Sequence, residues 1–325
     1  MGIQKQEVAA VLIASRKLTR IPITVSCFGV ALLAAVAAGG VTLAIFLAFI
    51  SIIFLLIHGN GTNDIADYDI DKVNLKNASD RPLVGGDTSK RQLWWLQGVC
   101  GVLAVVAALP LGFPAAVVTL LVVVYNYAYS FRPLRITDRT IVAPITLAAA
   151  YTFQPFTLGF ASTGMDEPYP WFLACAIYFG FVARLLLKDF RDVKGDAKFG
   201  KRTFLLRYGP AVTCVASGVS ALVSLMLAGV AVGYSWGVFG VVVLSNVAVV
   251  WLLLKLAKTR TIPSQMRLIG LIAKLANISI LALLGYFLCV AYMPENSVLN
   301  IAVPLCIGIV FFTLIAKGVR RATRT

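Results

Sequence analysis

"IHGNGTNDIADYDIDKVNLKNASDRPLVGG", residues 57–86, follows directly on an apolar run and holds Asp64, Asp67, Asp69, Asp71 and Asp80, with Asp87 one residue beyond. The 325-residue chain has only 14 acidic residues against 29 basic ones, a formal net charge of +15. Much of its negative charge is therefore gathered in one short segment. Carboxylates crowded beside apolar sequence repel one another unless a cation offsets them, so the segment asks what that cation is.

The surroundings are those of a membrane protein. Only 13% of residues are charged, where a soluble domain carries about a quarter, and the mean hydropathy is +0.87. Runs approaching the roughly 20 apolar residues that cross about 30 Å of hydrocarbon lie near 21–38, 41–58, 92–109, 113–130, 141–161, 170–187, 210–231, 236–257, 267–292 and 298–317. The expected fold is an all-α polytopic bundle of nine to ten transmembrane helices over a single domain, 1–325, with nine spans if the last run is peripheral. Basic residues collect in cytoplasmic loops. With the N-terminus inside, every one of the 29 Lys and Arg falls on that side, while "AGG", "PLG", "ASTGMDEPYP", "GYSW" and "MPEN" on the other face contain none. The pI near 9.8 then follows from membrane orientation, and nucleic acid drops out as a partner. No obligate protein partner is indicated.

Cys27, Cys100, Cys175, Cys214, Cys289 and Cys306 all lie in apolar spans without C-x-x-C pairing, which suits small buried hydrophobes. The N-terminus has no small-residue cleavage site of the secretory kind and no transit-peptide character.

At about 100° per residue, Asp64, Asp67 and Asp71 fall within about 60° of one another on a helix, whereas Asp69 points to nearly the opposite side. The same spacing returns 125 residues later in "LLLKDFRDVKGDAKFGKRT", with Asp189, Asp192 and Asp196. Both triads follow an even-numbered span and so belong to the cytoplasmic surface. Such repetition suggests two related halves of four helices each, facing across a cavity. Oxygen ligands without His or Cys favour Mg²⁺ or Ca²⁺, and Mg²⁺ characteristically shares one or two carboxylates with water and phosphate oxygens. The expected ligand is a diphosphate ester, with Lys188, Arg191, Lys194, Lys198, Lys201 and Arg202 as nearby phosphate contacts. A lone D-x-x-D is most often a solvated loop; two copies at matching positions argue against that.

At these residues the chain resembles the UbiA superfamily of intramembrane prenyltransferases. Its motifs N-D-x-x-D-x-x-x-D and D-x-x-D-x-x-x-D correspond to "NDIADYDID" (63–71) and "DFRDVKGD" (189–196), and "NASDRPLVGG" and "GDAKFGKRT" are similar to the segments that follow them. The resemblance implies a helical barrel of about nine spans with a lateral opening to lipid and a cytoplasmic polar cap. It implies two Mg²⁺ ions, one held by Asn63, Asp67 and Asp71, with Asp64 as a direct or adjoining partner, and the other by Asp189, Asp192 and Asp196. Arg81, in the Arg-Pro-Leu segment, is then a diphosphate contact. The chain departs from the family in "YNYAYSFRPLRITDR": Arg132 and Arg135 are the candidates for positive charge there, and Thr137 stands where the family offers Lys. A tenth span is a second departure, and "RKLTRIPIT" matches the family's Arg-Pro opening only loosely.

The implied reaction is transfer of a prenyl group from an allylic polyprenyl diphosphate to a hydrophobic acceptor, aromatic or quinone-precursor in the commonest family case. Asp67, Asp71, Asp189 and Asp192 are its central residues. Tyr125, Tyr127, Tyr129 and Phe131 are candidates to face a carbocation, with Tyr125 and Tyr129, four apart, the better pair; interfacial aromatics are the ordinary alternative. His58, the single histidine, ends the second span and reads more simply as a packing residue. A terpene cyclase would use the same ionisation with capture by the chain's own double bond. A transporter would place acids inside the spans, which are nearly free of them.

Overall fold

The computed structural model describes residues 2–74, 81–164, 166–293 and 297–322, so Asn77 and Asp80 of "NASDRPLVGG" lie outside the described residues. Every apolar run of the sequence becomes a helix: α2 (Ile21–Ala37), α3 (Ile45–Ala66), α5 (Lys90–Ala108), α6 (Phe113–Ser130), α7 (Val142–Ala161), α8 (Trp171–Leu185), α10 (Phe204–Ala231), α11 (Trp236–Lys258), α12 (Ile262–Tyr292) and α13 (Ser297–Ala322). Helices dominate because a chain in hydrocarbon must satisfy its backbone hydrogen bonds within each segment. Among the described residues seven helices are individually long and apolar enough to cross a membrane. An eighth span comes from α1 (Gly2–Thr19) taken with α2, and α7 and α13 complete the set of long helices. The chain is an integral, multi-pass membrane protein.

The order of packing closes a ring. Each long helix touches its sequence neighbour, α7 also packs on α2, and α12 returns to α2, so that α13 sits outside against α11 and α12. The peripheral last helix expected from its weaker apolarity is thus observed. Close approach of α2 and α7 depends on Gly159, where a Cβ would lie 1.9 Å from the Ala31 carbonyl oxygen.

Three short helical pieces interrupt the plan at one end of the ring. The elbow between α1 and α2 bends by 60° at Arg20, whose φ of +46° is left-handed. Pro22, at the start of α2, is the sequence cause, since proline cannot continue the hydrogen-bonding of α1. Asn60 Nδ2 donates to the Leu18 carbonyl at 2.8 Å and ties the elbow to α3. Beyond α3 comes α4 (Tyr68–Asn74), and beyond α8 a 3-10 turn (Lys188–Phe190) and α9 (Val193–Lys198). α4 and α9 pack against each other, which brings the two acidic motifs face to face.

The expectation of three carboxylates on one unbroken helix needs correction. α3 ends at Ala66, Asp67 adopts φ −101°, ψ 14°, and the helix restarts at Tyr68. The second motif breaks at the equivalent residue, Asp192, with φ −101°, ψ 6°. A run of carboxylates at the negative end of a long helix dipole is unfavourable, and the break re-aims the middle one. The helical register survives it, because Asp71 N–H still reaches the Asp67 carbonyl at 2.8 Å and Asp196 N–H that of Asp192 at 3.0 Å.

Replacing Gly159 by Ala should therefore force α2 from α7 and cost about 1–3 kcal/mol, read as a lower melting temperature in detergent. Gly98→Ala, on α5 where nothing lies within 4 Å, should leave the melting temperature unchanged or raise it.

Candidate active site

At the end of the ring where α4 meets α9, a cavity of about 660 Å³ opens between the two motifs. Its mouth is polar, lined by Asn63, Asp67, Asp71, Arg81, Lys188, Asp189, Arg191, Asp192 and Asp196. Its deeper wall is apolar, with Cys27, Ile52, Leu56, Leu147, Pro155 and Ile269. The polar and apolar parts follow from sequence position: the motifs lie at helix ends, and the inward faces of the spans lie below them.

Six carboxylates at this mouth meet six bases of the same chain. Asp64 is clamped by Arg20 Nη2 at 2.8 Å and by Arg81 Nη1. Arg81 also reaches Asp71, Nε to Oδ2 at 3.4 Å. Asp67 receives Arg135 Nη2 on Oδ1 at 3.1 Å and Lys201 Nζ on Oδ2 at 2.9 Å, with Asn63 Nδ2 donating to Oδ2 at 3.2 Å. Lys201 extends to Asp196 Oδ1 at 3.6 Å and so bridges the two motifs. Lys188 lies 4.0 Å from Asp189, and Arg191 Nε 2.9 Å from Asp192.

Burial leaves its mark on these groups. It pushes Asp71 up to about 6, opposed by Arg81 and aided by the neighbouring carboxylates Asp64, Asp67 and Asp192. It pushes Asp196 up to about 7, again opposed by a base, Lys201. For Lys201 burial works downward, but Asp67 and Asp196 outweigh it and hold the ammonium above its ordinary value.

The residues fit a hard divalent ion. All the acidic donors are oxygen, and among the described residues Asp71 Oδ2 is buried with no hydrogen bond, its one close cation being Arg81 Nε at 3.4 Å. Lys201 meanwhile occupies the position of a cation shared between Asp67 and Asp196. Among the described residues no three His, Cys, Asp or Glu side chains converge into a ready-made cage. That suits Mg²⁺, which takes one or two carboxylates and fills its remaining positions with water and phosphate oxygens.

Other expected residues take different places. Tyr129 lines the cavity, 6% exposed, and accepts from Lys188 Nζ at 2.6 Å. Tyr125 does not line it; its hydroxyl pairs with Thr146 at 2.9 Å. Asp64 and Arg135 stand behind the lining residues, held in ion pairs. Arg132 and Lys198 are exposed and outside the cavity. Asp69 is exposed, as its helical phase requires. His58 is fully buried, with Nδ1 2.9 Å from the Gln97 carbonyl and Nε2 3.3 Å from that of Val123, a packing role away from the cavity. Arg20, Tyr151, Asn126 and Gln154 line the cavity and were not singled out from the sequence. For Arg20 the signal available was Pro22 two residues on; for the others, on long apolar helices, none was available.

Comparison with known proteins bears on the family and the fold. Homogentisate phytyltransferase of Synechocystis sp. is 30% identical over 158 residues, 46% of this chain and 50% of that protein. The chain spans between half and two thirds of the length of the first curated relatives it matches. In fold it is similar to the structure reported for digeranylgeranylglyceryl phosphate synthase in membranes, with a TM-score of 0.65, 17% identity, and coverage of 84% of this chain and 97% of the other. It is likewise similar to a UbiA homolog from Archaeoglobus fulgidus bound to DMAPP and Mg²⁺, with a TM-score of 0.59, 16% identity, and coverage of 82% and 98%. Residues 23–278 match the profile of the UbiA prenyltransferase family, well over half of the chain, and the protein belongs to that family.

Proposed function

We propose that the protein transfers a prenyl group from an allylic polyprenyl diphosphate to an acceptor within the membrane, with Mg²⁺ at the paired motifs. The observation that carries this reading is the meeting of two D-x-x-D-x-x-x-D segments, which end on the packed short helices α4 and α9, over a cavity whose floor is apolar. The cavity's two chemistries match the two ends of such a donor. The acceptor is proposed to be an aromatic or quinone precursor, which the likeness to homogentisate phytyltransferase supports. A glyceryl phosphate lipid is the competing acceptor, in view of the digeranylgeranylglyceryl phosphate synthases among the relatives. The distribution of Lys and Arg supports a cytoplasmic-type membrane of the prokaryotic kind, with the N-terminus and both motifs on the cytoplasmic side.

In this mechanism Asn63, Asp67 and Asp71 would hold one ion and Asp189, Asp192 and Asp196 the other, while Asp64 keeps Arg20 and Arg81 in position. Mg²⁺ supplies Lewis acidity for the leaving group and neutralises its charge. The allylic carbon–oxygen bond breaks, and its electron pair leaves with the diphosphate. Arg81, Lys188, Arg191 and Lys201, each paired with a carboxylate of the mouth, are placed to turn to that growing negative charge. Lys188 is further anchored by the Tyr129 hydroxyl. The rings of Tyr129 and Tyr151 line the wall where the allylic cation forms and stabilise it through their faces. The acceptor's electron-rich carbon or oxygen closes the new bond and gives up its proton, and the apolar wall keeps out water that would quench the cation.

Incubation of the purified protein with allylic diphosphates of increasing length, Mg²⁺, and aromatic or glyceryl phosphate acceptors tests the reading directly. Metal-dependent diphosphate release with an adduct on one acceptor is expected. Release accompanied only by a cyclised hydrocarbon would replace transfer by cyclisation. Asp67→Asn and Asp192→Asn should each lower the rate by about a hundredfold or more; the melting temperature should stay near that of the parent in Asp192→Asn, whose partner Arg191 is exposed, and fall in Asp67→Asn, which leaves Arg135 and Lys201 without their shared carboxylate; normal turnover in either variant overturns the metal assignment.

A pH dependence follows from Asp71 and Asp196. Their folded pKa values, about 6 and about 7, lie above the unfolded carboxyl value, so the folded metal-free protein binds more protons. It should be destabilised as pH rises through this range and gain stability as pH falls toward about 5. Mg²⁺ must displace those protons. Calorimetric titration with Mg²⁺ should therefore show affinity weaker by about tenfold or more at pH near 5.5 than at pH near 7.5. A flat profile would show that these two carboxyls are not ligands.

A further inference from the structure

The second half of the ring carries a cation that no carboxylate answers. Arg184 lies inside the apolar span Trp171–Phe190, in the last turn of α8 and five residues before Asp189 in sequence. It is half-buried and forms no ion pair among the described residues. Its hydrogen bond runs from Nη1 to Asn277 Oδ1 at 3.1 Å, and the guanidinium stands over the Phe181 ring, 5.5 Å from its centre. A guanidinium stays charged and offers five N–H donors, most of them unspent here. An intramembrane charge of this kind is costly and marks a site.

Arg184 stands in a groove of about 60 Å³ between α8, α10, α11 and α12, which shares no lining residue with the diphosphate cavity. The walls are apolar, with Ile177, Ala221, Val249, Ile272 and Leu283. Three further polar groups line the groove, among them Ser224, whose hydroxyl donates to the Ala176 carbonyl at 2.7 Å. Ser279 makes no hydrogen bond among the described residues, and Asn246 spends one amide hydrogen on the Val242 carbonyl. The enclosed volume equals about two waters, enough for a carboxylate or phosphate head at the guanidinium and too little for a diphosphate. From Arg184 the groove runs back along α8 to Ala176, away from the motif end. That is the direction of a lipid tail whose head lies in the leaflet on the motif side.

We propose that this groove binds an acidic amphiphile, its carboxylate or phosphomonoester forked on Arg184 and its apolar tail lying along α8 and α12. The proposal stands apart from the assignment of the diphosphate cavity. It is tested on the full chain in a neutral detergent with a long-chain fatty acid bearing a photoactivatable diazirine in its tail, followed by peptide mapping. Labelling of groove-facing peptides of α8, α10 or α12 is expected, with competition by oleate and none by acetate at the same concentration. Equal competition by acetate would show a site for small acids and overturn the amphiphile. Arg184→Gln should lower the labelling about tenfold, the loss of a charge-assisted fork. Ala276→Phe, which fills the groove and keeps Arg184, should abolish it, and decides the matter if the arginine variant does not fold. Groove labelling unchanged in Ala276→Phe, or labels confined to the walls of the diphosphate cavity, overturns the proposal.

Discussion

Everything at the working end of this protein depends on the compensation of six buried or half-buried carboxylates by six bases of the same chain. Bringing such charges out of water costs several kcal/mol each, even after relaxation, and only close pairing returns it. Arg20, Arg81, Arg135, Lys188, Arg191 and Lys201 provide that pairing. Lys201 is the most consequential of them because it spans Asp67 of the first motif and Asp196 of the second. The two halves of the ring are thereby fastened together through the residues proposed to handle the substrate.

The repeat shows in backbone geometry as well as in spacing. Asp67 and Asp192 share nearly the same φ and ψ, each at the junction of a long helix and a short one. In both motifs the last carboxylate keeps its i+4 backbone bond to the middle one. The short helices α4 and α9 therefore pack on each other while each triad keeps its order, and the two motifs line the mouth of the cavity from two sides.

Much of this was legible in the sequence, for a physical reason. Hydrocarbon imposes its requirement segment by segment, so each apolar run from 21–38 to 298–317 announced its own helix. The peripheral position of α13 followed from its weaker apolarity. The acidic residues announced themselves by spacing. What was not legible is whatever depends on partners distant in the chain. Asp67 is held by Arg135 and Lys201, 68 and 134 residues away, and Asp64 by Arg20 across 44. The break at Asp67 answers to those partners, so an unbroken helix was the natural expectation. Tyr125 and Tyr129 do share a helix face, as their spacing requires. The difference between them comes from Thr146 on α7, which takes up the Tyr125 hydroxyl, and no local pattern in α6 encodes that neighbour.

The absence of a converged carboxylate cage among the described residues bears on how such a site is assembled. A preformed cage of three or four carboxylates would hold a divalent ion without substrate, at the cost of strong mutual repulsion whenever it was empty. Here the carboxylates are spread along two helix junctions and the facing short helices beyond them, and are matched in number by bases. The charge of the resting site is already near zero. A diphosphate brings negative charge that the bases attract, and their turning toward it exposes the carboxylates to cations. Each exchange is weaker alone, because it leaves charge of one sign unmatched in a partly desolvated space. Together they conserve neutrality, so under the proposed function diphosphate and metal strengthen each other's binding at this mouth, and the repeated motif is the structural form of that coupling.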